Sequence, residues 1–231
     1  GVLAIVANAG ATTCGAVDDL RGLTDLARQY GIWCHVDGAY GLAAMAGPEA
    51  RPVFDGIEQA DSFVVDPHKW LFAPFDCCAL IYQEPSLARE AHQQQGAYLE
   101  VVYDGVWNVS DYAHHLSRRA RGLPLWFSLA THGTKAYADA VEQTLTVAKE
   151  AAVCIERHPE LELVAEQNLS ICVFRRKGWL ADDYAQWSDH QLQTGQSFVT
   201  PTKHNGETVL RFCIVNPRTT VQHIEEILAS L

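Results

Sequence analysis

Gly1-Val-Leu-Ala-Ile-Val-Ala7 and Ile32-Trp-Cys-His-Val36 are two short apolar runs, and the segment between them decides the fold. Each is continuous, rich in β-branched residues and too short for a helix, as expected of a strand covered on both faces of a parallel sheet. Between them Leu20, Leu23, Leu26 and Ala27 recur at helical spacing up to Tyr30. Asp18 or Asp19 supplies an N-cap and Gly31 a left-handed stop. Strand, helix, strand at this spacing is the rhythm of an open α/β sheet. Ser62-Phe-Val-Val65 and Cys77-Cys-Ala-Leu-Ile-Tyr82 read as two further strands. Such sheets are seldom built with nothing before their first strand, so the chain reads as the C-terminal part of a longer protein.

From Glu84 to Asp111 the periodicity loosens. Gln93-Gln-Gln95, two glycines and the aromatics Tyr98, Tyr103 and Trp107 follow no repeat, which predicts a long irregular connection, commonly a functional loop. Helical pattern returns over Leu116 to Thr131 and over Thr134 to Arg157, where His158-Pro159 stops it. Glu162-Val164, Ser170-Arg175 and Thr208-Ile214 then read as strands, with helices near Asp182–Gln193 and from Thr220. The expected organisation is an α/β unit over 1–115, with the irregular loop at about 84–111, and a bridging helix with an α+β unit over 116–231.

The 231 residues are 48% hydrophobic and 19% charged, ordinary values for a folded domain. Seventeen basic against 28 acidic side chains leave a formal charge of −11. That balance argues against a non-specific nucleic-acid binder, which needs a basic face. No apolar run reaches the ~18–20 residues a membrane span requires, and no secretion signal opens the sequence. Seven cysteines form an odd, unpatterned set, which fits reduced thiols in a soluble, cytoplasmic protein.

Two motifs carry chemistry. In Val65-Asp-Pro-His-Lys-Trp-Leu-Phe72, Lys69 follows a buried strand and a Pro-His turn, near the carboxyl end of the sheet where α/β proteins place ligands. A lysine there needs a partner or a lost charge, and an imine with an aldehyde cofactor is one solution. A surface lysine beside a helix start explains the spacing equally well. In His35-Val-Asp37-Gly-Ala39-Tyr40, an aspartate ends a neighbouring strand, with small Gly38 and Ala39 beside it. A pyridine-ring cofactor needs a carboxylate at its ring nitrogen, because the protonated ring is the electron sink. The bland reading is an N-cap for a following helix. The Gly/Thr-rich turn Asn8-Ala-Gly-Ala-Thr-Thr-Cys-Gly15 lies at the same sheet edge but lacks GxGxxG and GK[ST] spacing, which leaves nucleotide binding a distant rival.

The ordered set Thr12-Thr13, His35-Val-Asp37, Asp66-Pro-His-Lys69-Trp70 and Ser117-Arg-Arg-Ala-Arg121 resembles the group II pyridoxal-phosphate-dependent amino-acid decarboxylases, nearest the aromatic-L-amino-acid branch. The resemblance continues to Leu210-Arg-Phe-Cys-Ile-Val-Asn-Pro217 and so covers essentially the whole chain. It implies part of a PLP-transferase large domain of the aspartate-aminotransferase type I fold, followed by a C-terminal α+β small domain. It implies pyridoxal 5'-phosphate as cofactor, Lys69 as its internal aldimine and Asp37 at the pyridinium nitrogen. Ala39 matches the small residue against one ring face, Thr12 a cofactor-contacting threonine, and His68 and Asp66 positions beside the phosphate. Asparagine is common in the family where Asp66 stands, and a second negative charge beside a phosphate needs an offset. The family protonates its product from a tyrosine on a mobile loop. Tyr103 is the candidate here, Tyr112 lies in the same stretch, and anchoring a loop is the commoner use of such a ring.

The implied reaction is decarboxylation of an L-amino acid, an aromatic one first, to the amine and CO2. Glutamate, aspartate, 2,4-diaminobutyrate and histidine are alternative substrates. The family's main phosphate-binding segment and its ring-stacking histidine have no counterpart in these residues. A non-catalytic fragment serving as a dimerisation partner is therefore the reading from another class. The family forms homodimers with sites at the interface, where Arg118, Arg119 and Arg121 at a helix start would meet carboxylates; solvent is their bland alternative. His92, His114, His115 and His132 lack ligand spacing with an acidic partner, so no metal is expected. Cys77 and Cys78, read as strand neighbours, point to opposite faces and suit core packing.

Overall fold

A computed structural model describes residues 1–94 and 108–231. Its first sheet has the order β1-β2-β3-β4, formed by Ala4–Asn8, Trp33–Asp37, Ser62–Val65 and Ala79–Tyr82. The first three strands run parallel, with Asn8 opposite Asp37 and Asp37 opposite Val64. The fourth is antiparallel to β3 and begins at Ala79, so Cys77 and Cys78 precede the strand instead of lying within it. Helix α1, Leu20–Tyr30, crosses between β1 and β2. Asp19 caps it by accepting from the Gly22 amide, and Gly31 ends it in the left-handed region, φ 62°. Leu20, Thr24 and Ala27 form its buried stripe, whereas Leu26, expected on that face, is exposed.

After β2 the chain takes three short 3-10 turns, Gly41–Ala46, Arg51–Phe54 and Ile57–Gln59. The first is drawn tightly beneath β1. A Cβ on Gly41 would meet the Ala9 carbonyl oxygen at 2.2 Å and the Gly10 Cα at 2.7 Å, so glycine is required by contact here. The segment after β4, expected to be irregular from Glu84, instead opens with helix α3, Pro85–His92. Glu84 accepts from the Ser86 amide, and Pro85 occupies the first turn, where a missing N–H costs nothing.

A long helix, α4, spans Leu123–Arg157 and begins seven residues later than the Leu116 start read from the sequence. Gly133 is non-helical at φ 78°, ψ 159°, which divides the helix within the 131–134 gap expected from the pattern. The second sheet, order β5-β6-β8-β7, is antiparallel throughout: Leu161–Leu163, Ile171–Arg176, Glu207–Cys213 and Pro201–His204. Strand β7 carries no apolar alternation and goes unread in the sequence. The Asn205-Gly206 turn, both residues at positive φ, folds it back onto β8. Helices α5, Ala181–Thr194, and α6, Val221–Leu228, complete this half.

Two apolar cores result. Ala7, Val36, Ala44, Phe54 and Trp70 join Val141 and Leu145 of α4 and Ile171, Val173 and Val209 of the second sheet. The other faces of α4 and β6 supply Val147, Ala151, Ile155, Cys172 and Phe174 to a second core with Trp187, Leu210, Phe212 and Ile224. Strand alternation therefore splits β6 between them: Ile171 and Val173 one way, Cys172 and Phe174 the other.

Candidate active site

The carboxyl ends of β2 and β3 are joined by backbone hydrogen bonds beyond the sheet proper. The Gly38 amide donates to the Val64 carbonyl at 3.1 Å, and the Asp66 amide to the Ala39 carbonyl at 2.9 Å. These two bonds hold the Asp37-Gly-Ala and Asp66-Pro-His-Lys segments side by side at one sheet end. Asp37 is exposed, and its Oδ1 accepts from the Ala39 amide at 3.1 Å, an Asx turn that fixes the carboxylate at the strand end. Gly38 has no room for a side chain: a Cβ there would strike Leu42 at 2.0 Å. The turn after β1 reaches the same end, since the Ala9 amide donates to the Asp37 carbonyl at 2.7 Å. Thr12, in that turn, is exposed, and Ala39 is half-buried.

Lys69 rises from a single helical turn, α2, Pro67–Trp70. Its Nζ lies 2.9 Å from Asp66 Oδ2, with 44% of its side chain accessible against 14% for Asp66. His68 donates from Nδ1 to the Cys77 carbonyl at 2.6 Å, which leaves Nε2 directed toward Asp66 Oδ2 at 4.0 Å. The fourth member is Cys78, expected in core packing but in fact exposed, whose thiol hydrogen-bonds the Asp66 carboxylate. Burial alone would raise the Asp66 carboxyl. The bonds from Cys78 and Lys69, with the charges of Lys69 and His68, outweigh burial and hold it below the usual carboxylate range. Conversely, burial and the adjacent carboxylate push the Cys78 thiol up to about 12, so it stays a protonated donor. Lys69, Cys78 and His68 thus stand around Asp66 and together outweigh the cost of its burial.

The low Asp66 pKa has a definite sign. An unfolded aspartate titrates near ~3.9, so between that value and the lower folded one the unfolded chain binds more protons. The stabilisation is complete above about pH 4 and is lost as pH falls through the folded pKa. Asp66→Asn removes this component. Its urea midpoint is expected to fall less than that of the wild type between about pH 5 and pH 2. Equal acid sensitivity of the two proteins would place the titrating group elsewhere.

Behind the exposed groups are two rings whose role sequence reading did not assign. Tyr40 and Trp70 stack at 5.1 Å with planes 9° apart, and Trp70 is wholly buried. Both residues stand in the quoted motifs; nothing in their spacing reveals that they meet. The arginine expectation changes as well. Residues 118–121 precede α4 instead of opening a helix, and Arg119 and Arg121 both pair with Asp76 of the same chain, the latter at 3.3 Å. Tyr103 lies outside the described residues, and Tyr112 closes a short 3-10 turn, Val109–Tyr112. The rings of His114 and His115 lie 3.8 Å apart, and among the described residues no group of three or more His, Cys, Asp or Glu is placed to hold a metal. All seven cysteines are free thiols. No helix among the described residues is long and apolar enough to cross a membrane. Concavities of about 500 Å³ beside Arg175, Trp179 and Tyr184, and about 250 Å³ beside Val53, Leu145 and Leu169, are not lined by Asp37 or Lys69.

An amine able to condense with an aldehyde and a carboxylate able to hold a pyridinium proton, on adjoining strand ends of one sheet, are a donor set that fits pyridoxal phosphate. Comparison with known proteins agrees. Residues 1–177 match the Pyridoxal-dependent decarboxylase conserved domain. An aromatic-L-amino-acid decarboxylase of Bacillus atrophaeus is 30% identical over 98% of this chain and 49% of its own length. Tyrosine decarboxylase 2 of Arabidopsis thaliana is 35% identical over 96% of this chain and 42% of its own. Among solved structures, Oryza sativa TDC with PLP and tryptamine matches at TM-score 0.88 and 26% identity, over 98% of this chain and 50% of that one. Catharanthus roseus tryptophan decarboxylase in complex with L-tryptophan gives TM-score 0.84 and 28% identity, over 98% and 47%. The mixed α/β fold of this chain is that of PLP-dependent decarboxylases, and the chain spans about half the length of the curated relatives it matches. With the domain matched over residues 1–177 and relatives 30% or more identical along nearly all of its length, this chain belongs to the pyridoxal-dependent decarboxylase family.

Proposed function

We propose that the intact protein decarboxylates an aromatic L-amino acid to its amine and CO2 with pyridoxal 5'-phosphate, Lys69 being the attachment point. The observation that carries this reading is the pair of backbone bonds, Gly38 to Val64 and Asp66 to Ala39, that sets the Asp37 and Lys69 segments at one sheet end. The side-chain preference rests on relatives named aromatic-L-amino-acid, tyrosine and tryptophan decarboxylases.

The cofactor supplies an electron sink for the pair of electrons left when CO2 departs. This chain's residues hold and orient it. Lys69 offers its amine by leaving Asp66, from an ion pair whose lysine end is half-exposed. Asp37 keeps a proton on the ring nitrogen, and its Asx turn fixes the carboxylate for that task. Ala39, Thr12, His68 and Asp66 would help to hold the cofactor, Ala39 by leaving room beside its ring and His68 with Asp66 on the side of its phosphate. Tyr103 is the candidate donor of the final proton to the product carbon. We propose further that the protein is cytoplasmic and acts as a homodimer with sites at the subunit contact.

A substrate panel followed by CO2 release tests the preference. Tyrosine, tryptophan and 3,4-dihydroxyphenylalanine are expected to turn over with the intact protein, and glutamate, aspartate, 2,4-diaminobutyrate and histidine to lag. The glutamate decarboxylase domain of diaminobutyrate-pyruvate transaminase and L-2,4-diaminobutyrate decarboxylase from Vibrio parahaemolyticus is 29% identical to this chain. Faster release from the acidic or diamino substrates would therefore move the protein to that branch.

A further inference from the structure

Tyr40 and Trp70 are each tethered at the polar edge by a different element, which packing alone does not demand. The Trp70 indole N–H donates to Thr144 Oγ1 of α4 at 3.0 Å, and that hydroxyl donates onward to the Val141 carbonyl at 2.7 Å. The Tyr40 hydroxyl bonds the Ser170 hydroxyl and also accepts from the Ser170 amide, at 3.2 Å, at the start of β6. Burial pushes the Tyr40 phenol above its ordinary range, so it remains a neutral hydroxyl. Apolar burial is satisfied by many ring orientations, whereas two tethers and a 9° stack select one. The stack also joins the two functional segments, since Tyr40 follows Asp37 by three residues and Trp70 directly follows Lys69.

We propose that Tyr40 is a positioning residue: by stacking on Trp70 while held by Ser170, it fixes the helical turn bearing Lys69 against the strand end bearing Asp37. The second sheet, through Ser170, thereby helps to set where the lysine projects. This inference rests on the functional reading above, because it concerns how Lys69 meets the cofactor aldehyde. A displacement of about 1 Å at a reacting group can cost on the order of 10²-fold in rate.

The test uses the intact protein, pyridoxal 5'-phosphate and borohydride, with the rate of label incorporation at the Lys69 peptide read by mass spectrometry. Tyr40→Phe keeps the ring but releases it from Ser170, and is expected to label at a rate between those of the wild type and Tyr40→Leu. Tyr40→Leu removes the stack and is expected to label roughly tenfold or more slowly. Phe54→Leu is the control for lost packing: it thins the same core while leaving both rings and their tethers in place, and is expected to label like the wild type at a comparable loss of Tm. Wild-type labelling by folded Tyr40→Leu, or an equal slowing in Phe54→Leu, overturns the inference while the functional reading stands. Should Tyr40→Leu fail to fold, Ser170→Ala decides: it removes the hydroxyl bonded to Tyr40 and keeps both rings, slowed labelling is expected, and the wild-type rate overturns the inference. A wild-type protein that takes no label at Lys69 overturns the functional reading and this inference together.

Discussion

Lys69→Ala is expected to leave a folded protein that carries no borohydride-fixed cofactor and releases no measurable CO2. The side chain is 44% accessible and its ion-pair partner is Asp66. Asp66 is only 14% accessible but keeps its bond from Cys78 when the lysine is lost, so the thermal midpoint is expected to fall modestly while the protein stays folded. The chemistry depends wholly on the amine. Losing a residue that forms the covalent link reduces turnover on the order of 10³-fold or more, as in other enzymes that react through one side chain. Peptide mass spectrometry after reduction, beside a circular-dichroism melt, reads both halves of the expectation. Label retained in the variant would show that another lysine holds the cofactor.

The second large effect is expected at Asp37→Asn. The amide keeps an oxygen where Asp37 Oδ1 accepts from the Ala39 amide, so the turn after β2 is preserved and only the charge is removed. A neutral group cannot hold the ring-nitrogen proton as a carboxylate does, and the electron sink weakens. A preorganised electrostatic partner is commonly worth about 10²–10³-fold in kcat, and a fall of that size is expected with Lys69 labelling intact. Steady-state CO2 release together with labelling separates this from a folding defect. A kcat within a few-fold of the wild type would remove Asp37 from the ring nitrogen.

The α/β half was legible because its signals are local. Leu20, the Asp19 cap and Gly31 announce α1, and Ser62–Val65 was read to the residue. Helix α3 carried its own cap and proline at Glu84-Pro85, but the glutamines and glycines that follow obscured them. Strand β7 was missed because Pro201-Thr-Lys-His204 has no apolar side to alternate, although Asn205-Gly206 was a hairpin signal. At the site, residue type and strand-end position pointed to Asp37 and Lys69. The Tyr40–Trp70 stack, the Ser170 tether and the Cys78 bond to Asp66 are long-range meetings in sequence or depend on backbone turns. Periodicity carries no record of them.

Helix α4 gives Val141 and Leu145 to one apolar core and Val147, Ala151 and Ile155 to the other, and β6 divides its alternate residues in the same way. Neither core owns these two elements, so neither can melt without stripping the other of a wall. The two halves therefore share one cooperative fate: heat, denaturant or a protease that breaches the C-terminal sheet also dismantles the support beneath the lysine-bearing turn.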